Sequence, residues 1–257
     1  MKVIKNLEFD KIEYVKYGFF TRLGGFSKNE FDSLNFNSKE DTGEPKNNVL
    51  KNFDVLKNYF KSSNNVFKLK QVHSKDVFIL GDLKYLEDID IIHADAVVTK
   101  LRNVVIGVVT ADCVPILLVD DKNKIISAVH AGWRGSVAGI IENSINKMVK
   151  IGAEIKNIKA LIGPHLRVEN FEVKQDFISD LIKNNIKYQD FIICKNDKIF
   201  FNITKFVNYK LQSTGIIEIY DVNLDTYSNP DLFFSYRRST HENQKKFGCQ
   251  FSAIMLN

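Results

Sequence analysis

The sequence predicts an α+β fold in which mixed or antiparallel β-sheets pack together with flanking helices, in a single domain spanning residues 1–257. Three observations support this fold class. Short apolar runs typical of strands alternate with amphipathic stretches typical of helices. Polar turn signals between neighbouring runs favour hairpins, which join antiparallel strands. Neither G-x-G-x-x-G nor a P-loop motif is present, so no nucleotide-binding motif marks a doubly wound parallel sheet.

The first elements follow from local pattern. The stretch "IEYVKYGFFTRLGG" predicts one or two short strands that end at the Gly24-Gly25 turn. The stretch "NVFKLKQVHSKDVFIL" predicts a strand with His73 in its middle. Between them, "NVLKNFDVLKNYF" predicts a helix, because its apolar residues recur at helical spacing: Val49, Phe53, Leu56 and Phe60.

The middle of the chain is rich in strands. Residues 95–129 contain four β-branched runs, "AVVT", "VVIGVVT", "VPILLVD" and "KIISAV", and the polar "DDKN" at 120–123 predicts a hairpin turn between the last two. The period then changes, and "SVAGIIENSINKMVKIG" predicts one helix that ends near Gly152. Its apolar stripe consists of Val137, Ile140, Ile141, Ile145, Met148 and Val149.

The last hundred residues alternate between the two element types. The runs "IKALIG", "KIFF", "IEIYDV" and "CQFSAIML" predict strands, and "QDFISDLIKNNI" and "ITKFVNYKLQSTG" predict helices.

Composition narrows the function classes. The net charge of +5 comes mostly from Lys scattered among acids, with no dense basic run, so we expect a solvated surface and no nucleic-acid partner. Three cysteines without a C-x-x-C pair favour a reducing compartment. No run approaches the ~20 apolar residues of a membrane span, and the first residues lack the apolar core of a signal peptide. We therefore expect a cytoplasmic protein without a membrane partner.

Three side chains suggest a metal site. His73, Cys113 and His130 supply two imidazoles and a thiolate, a set that suits zinc and leaves a fourth position open for catalysis. Asp112 and Pro115 interrupt an apolar strand pattern around the thiol, which favours a functional turn. Asp112 is also a candidate acceptor that orients an imidazole.

The same residues allow other interpretations. Cys113 would be a nucleophile and His130 its base in a metal-free hydrolase, with Asp112 or another acid orienting the imidazole. Alternatively, Cys113 is a small buried apolar residue and both histidines are ordinary.

Arginine and tryptophan give candidate substrate contacts. Arg22, Arg134 and Arg237 stand out in a chain that prefers Lys, and a guanidinium binds phosphate or carboxylate with two hydrogen bonds. Structural pairing with acids is an equal alternative for each. The single Trp133 is suited either to stacking on a substrate ring or to core packing.

A set of motifs adds a family resemblance. The motifs "FFTRLGGFS", "SLNF", "KQVHS", "ADAVVT", "TADCVPILLVD", "AVHAGWRG", "IGPH" and "FFSYRR" occur in this order. The chain resembles the laccase-domain family, whose members are variously called multicopper polyphenol oxidases, purine nucleoside phosphorylases and peptidoglycan editing factors. The resemblance covers essentially the whole chain from Phe19 onward. It implies one zinc per chain, held by His73, Cys113 and His130.

The resemblance also implies an activity, to which the candidate residues above are assigned. The expected reactions are phosphorolysis of adenosine, inosine and methylthioadenosine, and deamination of adenosine. The expected partners are a purine nucleoside and phosphate, and the chain is expected to be a monomer or a small homo-oligomer. The expected catalytic residues are Asp112, Cys113 and Arg134, and the expected substrate or phosphate contacts are Arg22, Asn35, Gln71, Trp133 and Arg237.

Alternatives remain open within this resemblance. Editing of a peptidoglycan precursor is one, and laccase-like oxidation of phenols is another. Copper is less expected than zinc because a multicopper centre needs many imidazoles and the chain has five His. A binding module with a closed structural zinc is a further alternative, with the closing ligand drawn from His93, His165 or His241, which we expect to be exposed or structural. Two positions depart from the family pattern: His165 and Asp225 stand where many members have Cys.

Overall fold

The α+β class is confirmed by a computed structural model, which describes residues 1–38, 43–62, 66–86 and 92–257. Within these residues the chain forms thirteen strands and seven α-helices. In chain order they are β1 (Val3–Ile4), α1 (Leu7–Asp10), β2 (Val15–Phe20), α2 (Lys46–Phe60), β3 (Val77–Leu80), β4 (Ala96–Thr99), β5 (Ile106–Thr110), β6 (Val114–Asp120), β7 (Ile125–Ala131), α3 (Trp133–Ala138), α4 (Ile140–Lys150), β8 (Ile158–Ile162), β9 (Glu172–Val173), α5 (Gln175–Asn184), β10 (Ile192–Lys195), β11 (Lys198–Phe201), α6 (Ile203–Ser213), β12 (Glu218–Asp221), α7 (Tyr236–His241) and β13 (Gln250–Leu256).

The strands form one mixed and two antiparallel sheets, as the sequence predicts. The mixed sheet has six strands in the order β12-β8-β6-β7-β4-β3, with parallel pairs at its two edges and antiparallel pairs between them. A four-stranded antiparallel sheet has the order β1-β2-β13-β5, and a small one has the order β10-β11-β9.

The two large sheets pack face to face between helical layers. Helix α2 covers the outer face of the four-stranded sheet, and helices α3 to α6 cover the outer face of the six-stranded sheet. Strand β6 shows the consequence: Ile116 and Leu118 face the helices, whereas Leu117 and Val119 face the other sheet. A strand covered on both faces has no polar side to present, which explains its continuous apolar sequence. Among the described residues, no helix has the length and apolar character needed to cross a lipid bilayer.

The β6–β7 hairpin sets the position of two candidate ligands. Its turn falls at the predicted "DDKN", where the Asp120 carboxylate accepts backbone N–H bonds from Lys122 and Asn123. The register pairs Pro115 with His130 at the other end of the hairpin. The turn before β6, which carries Cys113, therefore lies beside the end of β7.

Two predicted elements are wrong in part. His73 lies in a loop with a positive φ of 61°, not in a strand, and β3 begins only at Val77; the first residue of that predicted strand lies outside the described residues. The predicted helix over 136–152 is two helices, because Gly139 at φ 103° separates α3 from α4. Val149, placed in the apolar stripe, is 41% exposed. The predicted helix end at Gly152 agrees with its φ of 112°.

Candidate metal centre

Three side chains from distant parts of the chain meet at one end of the six-stranded sheet. The candidate ligand atoms of His73, Cys113 and His130 all lie within 4.8 Å of one another. The Cys113 Sγ is 3.8 Å from the His73 Nε2, and the two imidazole rings are 4.8 Å apart at 78°. A metal ion lies ~2.0–2.3 Å from nitrogen and sulfur ligands, so a small contraction of this group brings all three into range. The geometry therefore fits a metal centre.

Each ligand is held by the fold in a different way. His130 is on β7, and its backbone N–H donates to the Asp95 carbonyl at 2.7 Å. Cys113 ends a sharp turn between β5 and β6, in which Asp112 has a φ of 84°. His73 is in the loop before β3. Strand geometry thus fixes one ligand, and turns that need positive φ position the other two.

Gln71 fastens the His73 loop to the end of β5. Its side-chain amide donates to the Val109 carbonyl at 2.8 Å and accepts from the Val109 N–H at 2.7 Å. This pair of bonds imitates one step of a β-ladder and places His73 next to the turn that carries Cys113. Both polar atoms of the Gln71 amide are thus engaged with the backbone. The substrate contact expected of Gln71 stays a prediction.

Asp95 is the residue that the sequence analysis missed. Its carboxylate is fully buried and accepts the His130 Nδ1–H at 2.7 Å. It also accepts backbone N–H bonds from Val72, His73 and Ser74 at 3.3, 2.9 and 2.6 Å. Burial alone would raise the pKa of Asp95, but the hydrogen bonds from His130 and Ser74 lower it below its usual value. The available sequence signal was an acid directly before a buried strand, in "HADAVVT".

The orienting role expected of Asp112 is therefore wrong, because Asp95 holds the imidazole. The Asp112 carboxylate instead accepts hydrogen bonds from the Thr226 hydroxyl at 2.6 Å, the Ser235 hydroxyl at 2.9 Å and the Arg237 N–H at 2.6 Å. These contacts join the Cys113 turn to the start of α7. Burial raises the pKa of Asp112, although the same hydrogen bonds oppose that rise.

Cys113 and His130 are electrostatically coupled. Burial disfavours the Cys113 thiolate, but the neighbouring imidazoles outweigh it and lower the pKa of Cys113 to about 6. Burial likewise disfavours the protonated imidazole, yet the thiolate and Asp95 raise the pKa of His130 to about 9. A thiolate at neutral pH is the form that binds a metal, and it is also the form that attacks an electrophile.

Gly132 makes a close cradle for the three ligands. A Cβ at this position would lie 3.0 Å from the His73 Cδ2, 3.2 Å from the Cys113 Sγ and 3.7 Å from the His130 Cε1. The bare backbone thus lies directly against the ligand group. Exposure rises across the group from buried His130, through Cys113, to exposed His73, so one side faces solvent.

No described residue supplies a fourth His, Cys, Asp or Glu ligand to the group. His93 is exposed, and His241 accepts or donates a hydrogen bond at the Tyr227 hydroxyl, 2.9 Å away. His165 is buried beside the Gly163 carbonyl at 2.8 Å. The described part of the centre therefore has three protein ligands and an open side, the arrangement of catalytic zinc sites.

The three candidate arginines differ in how far they are engaged. Arg22 donates to the carbonyls of Asp32 and Pro230, at 2.7 and 3.1 Å. Arg237 donates to two backbone carbonyls, at 2.9 and 3.2 Å. Arg134 is exposed and lies over the Trp133 ring at 4.4 Å, without a hydrogen bond or ion pair to the described residues.

Two further candidates are mainly enclosed by protein. The Trp133 ring packs 4.6 Å from that of Phe177, so at least one face is used in the helical layer. Asn35 is fully buried, and its Oδ1 accepts from the Asn37 and Cys249 N–H groups. Its Nδ2 has no hydrogen-bond partner among the described residues. An unpaired buried amide is costly, which makes Asn35 a candidate contact for a ligand.

The fold and the centre define an α+β protein of two packed sheets with a His₂Cys metal-ligand group at the strand ends. The chain belongs to the multi-copper polyphenol oxidoreductase laccase family, whose model matches residues 16–257. This confirms the resemblance drawn from the motifs.

Named relatives provide functional comparisons. Purine nucleoside phosphorylase RP494 of Rickettsia prowazekii (strain Madrid E) is 36% identical over 195 residues, 75% of this chain and 78% of the relative. Adenosine deaminase RL5 from an unknown prokaryotic organism is 37% identical over 129 residues, 48% of this chain and 49% of the relative. The solved structure of Neisseria meningitidis protein NMB0706 matches at a TM-score of 0.82 with 27% identity, over 95% of each chain.

Proposed function

We propose that this chain is a zinc-dependent enzyme that cleaves purine nucleosides with phosphate and also deaminates adenosine. The single observation that carries the proposal is the group of His73, Cys113 and His130, with ligand atoms within 4.8 Å and one side open to solvent. Relatives named for purine nucleoside phosphorolysis and adenosine deamination support the substrate class.

The presence of one ligand group among the described residues favours zinc over multicopper chemistry. Two imidazoles and a thiolate suit zinc, which supplies Lewis-acid polarisation and lowers the pKa of a water molecule when bound. Multicopper oxidation needs several metal centres, whereas the described residues bring together one His/Cys group of this kind. We therefore favour nucleoside chemistry over phenol oxidation, and zinc over copper.

Phosphorolysis needs a cation that holds phosphate. A phosphate oxygen attacks the ribose C1′ while the bond to the purine nitrogen breaks, and the purine leaves with the bonding electrons and takes up a proton. Arg134 is our candidate phosphate-binding residue, because its guanidinium is exposed and makes no hydrogen bond or ion pair with the described residues, whereas Arg22 and Arg237 donate to backbone carbonyls. Arg22 and Arg237 remain secondary candidates for binding the same substrate.

The remaining roles stay predictions for the same site. Asp112 is the candidate acid for proton movement; burial raises its pKa, and hydrogen bonds from Thr226, Ser235 and Arg237 oppose that rise. Asn35, with its unpaired side-chain amide, and Trp133 remain candidate substrate contacts. The cytoplasmic location, the absence of a nucleic-acid partner and the oligomeric state are also predictions.

Two alternatives use the same residues. Editing of a cell-wall precursor would need an open groove beyond the metal for a sugar and a peptide. A metal-free hydrolase would use Cys113 as nucleophile, and the lowered thiol pKa favours this alternative over an inert cysteine.

The test is a substrate panel on protein of defined metal content. Adenosine, inosine and methylthioadenosine are assayed with and without phosphate, beside muramyl-peptide precursors and a phenolic dye. We expect about one zinc per chain, lost in Cys113→Ala, and phosphate-dependent release of free purine. Absence of purine release together with clear precursor cleavage would overturn the nucleoside proposal. Activity in metal-free protein, abolished by iodoacetamide at Cys113, would support the hydrolase.

A matched pair of variants tests the phosphate contact. We expect Arg134→Ala to raise the KM for phosphate at least tenfold and to change the nucleoside KM less. Lys150→Ala removes an equal charge from an exposed position on α4, and we expect it to leave both constants unchanged. An unchanged phosphate KM in Arg134→Ala would remove Arg134 from the site.

A further inference from the structure

We propose that Asp95 is the positioning residue of the metal centre, which sets the orientation of both histidine ligands through one buried carboxylate. The inference rests on the proposed metal site and gives a role to a residue of the motif "ADAVVT" to which the sequence analysis assigns none. Asp95 is not itself a proposed metal ligand; it acts through its hydrogen bonds to His73 and His130.

The hydrogen bonds from the two histidines converge on one oxygen atom of Asp95. Asp95 Oδ1 accepts the His130 Nδ1–H at 2.7 Å and the His73 backbone N–H at 2.9 Å. Its Oδ2 accepts the backbone N–H of Ser74 at 2.6 Å and, more weakly, that of Val72 at 3.3 Å. One side chain therefore bonds the ring of one ligand and the backbone of the other.

This arrangement selects the ligand atom of His130. Because Nδ1 carries the hydrogen that is donated to Asp95, the lone pair of a neutral imidazole lies on Nε2. The hydrogen bond also fixes the ring plane and increases the basicity of the ring, as acceptors beside metal-bound histidines generally do.

The same carboxylate determines the path of the His73 loop. Three consecutive backbone N–H groups, from 72 to 74, point at Asp95, and His73 adopts a positive φ of 61° between them. A non-glycine residue holds such a conformation only where its surroundings impose it. Asp95 is the acceptor that offsets this cost, because its fully buried carboxylate accepts all three N–H groups.

An amide cannot replace the carboxylate here. In Asp95→Asn one oxygen still accepts, but the amide nitrogen would face either the N–H groups of Val72 and Ser74 or those of His73 and His130. Either orientation of the amide removes hydrogen bonds from the His73 loop, and one of the two also removes the bond to His130, while side-chain volume stays almost the same. We expect the affinity for metal to fall by about 10- to 100-fold, the usual effect of removing such an acceptor.

Asp120 provides a matched control in the same sheet. It is also fully buried, and its carboxylate accepts three backbone N–H groups, from Lys122, Asn123 and Glu154, and one side-chain N–H, from Asn123. It lies at the far end of β6 from Cys113. Asp120→Asn therefore reproduces the loss of a buried acceptor without touching the metal ligands.

The experiment measures zinc affinity by competition with a chromophoric chelator, for full-length wild type, Asp95→Asn and Asp120→Asn. The absorption spectrum of the cobalt-loaded proteins reports the ligand geometry. We expect Asp95→Asn alone to lose 10- to 100-fold in affinity and to change the cobalt spectrum. Wild-type affinity in Asp95→Asn would overturn the role of Asp95, as would an equal loss in both variants. If wild type binds no zinc through Cys113, the proposed metal site fails, and the role of Asp95 fails with it.

A measurement on the wild type decides the matter if Asp95→Asn does not fold. Nitrogen-15 NMR of the zinc-loaded protein identifies the protonated ring nitrogen of His130. We expect the hydrogen on Nδ1 and the metal on Nε2. A hydrogen on Nε2, or metal bound through Nδ1, would overturn the inference.

Discussion

Gly132→Ala is a sharp test of the metal centre, because it adds one methyl group directly against the three ligands. Gly132 has φ −63° and ψ 156°, a conformation that alanine adopts freely, so the backbone is not strained by the change. Any effect must therefore come from the new Cβ. Its contacts would be 3.0 Å to the His73 Cδ2 and 3.2 Å to the Cys113 Sγ.

The size of the effect follows from these distances. Carbon atoms pack best at ~3.5–4.0 Å, so the contact with His73 is short by about 0.5 Å. Metal sites tolerate ligand displacements of only about 0.2 Å. Overpacking of this kind costs about 1–3 kcal/mol, and relief of the clash moves the ligands apart. We expect zinc affinity to fall about 10- to 100-fold, at tenfold for each 1.4 kcal/mol.

The assay is zinc competition on the folded protein, with thermal unfolding of the metal-free form as a second measurement. Gly81→Ala is the control, since a Cβ there meets no atom within 4 Å. We expect wild-type affinity and stability in Gly81→Ala, and in metal-free Gly132→Ala a loss of stability of no more than about 1–3 kcal/mol, since the clash is present without zinc as well. A folded Gly132→Ala protein with wild-type zinc affinity would refute the reasoning that the ligands close around this glycine.

Three further predictions concern stability and reactivity. Burial lowers the pKa of His165 to about 4 from an ordinary value near 6.5, so the unfolded chain takes up this proton first, and stability should fall by about 3 kcal/mol as pH drops from 6.5 to 4. Urea titrations across that range give the free energy of unfolding at each pH, and its slope against pH should correspond to one proton fewer in His165→Gln than in wild type. An unchanged slope would contradict the assignment of this proton to His165. Lys210 is 7% exposed and ion-paired with Glu142. Glu142→Ala leaves the buried ammonium unpaired, so it should lower the free energy of unfolding in urea by about 3 kcal/mol, and the double variant with Lys210→Met should lower it much less. Equal losses in the two variants would show that the unpaired charge is not the cause. Zinc should protect Cys113 from iodoacetamide while exposed Cys194 reacts equally with or without metal, and mass spectrometry of the alkylated peptides would detect the opposite result.

Local pattern was sufficient for the elements with strong periodicity. Helix α2 and the β6–β7 hairpin agree with the sequence because their apolar spacing and turn residues point to one structure. The two-residue strands β1 and β9 escaped notice, since two residues carry no period. Helix α7 was also missed: its cap, Ser235, is stabilised by the distant Asp112, which no local pattern reveals.

The candidate site was predicted by residue type and resemblance, not by spacing. Sequence identified His73, Cys113 and His130 as a set, and the fold brings them within reach of one ion. It assigned the orienting acid to Asp112 because that residue is the neighbour of Cys113 in the chain. The structure uses Asp95, whose partners come from two other segments. Choosing between two buried acids requires tertiary contacts that sequence order does not contain.

Strand β13 has a consequence for how the protein is made. It lies between β2 and β5, and it pairs Gln250 with Thr110, just before the turn that carries Cys113. On the ribosome, β2 and β5 emerge long before β13, so both present unpaired edges in the meantime. Such edges recruit other chains, and contacts between distant segments form slowly. Synthesis is therefore the stage at which these edges are most open to pairing with other chains, and a nascent chain that lacks β13 should acquire neither a closed sheet nor a competent metal site.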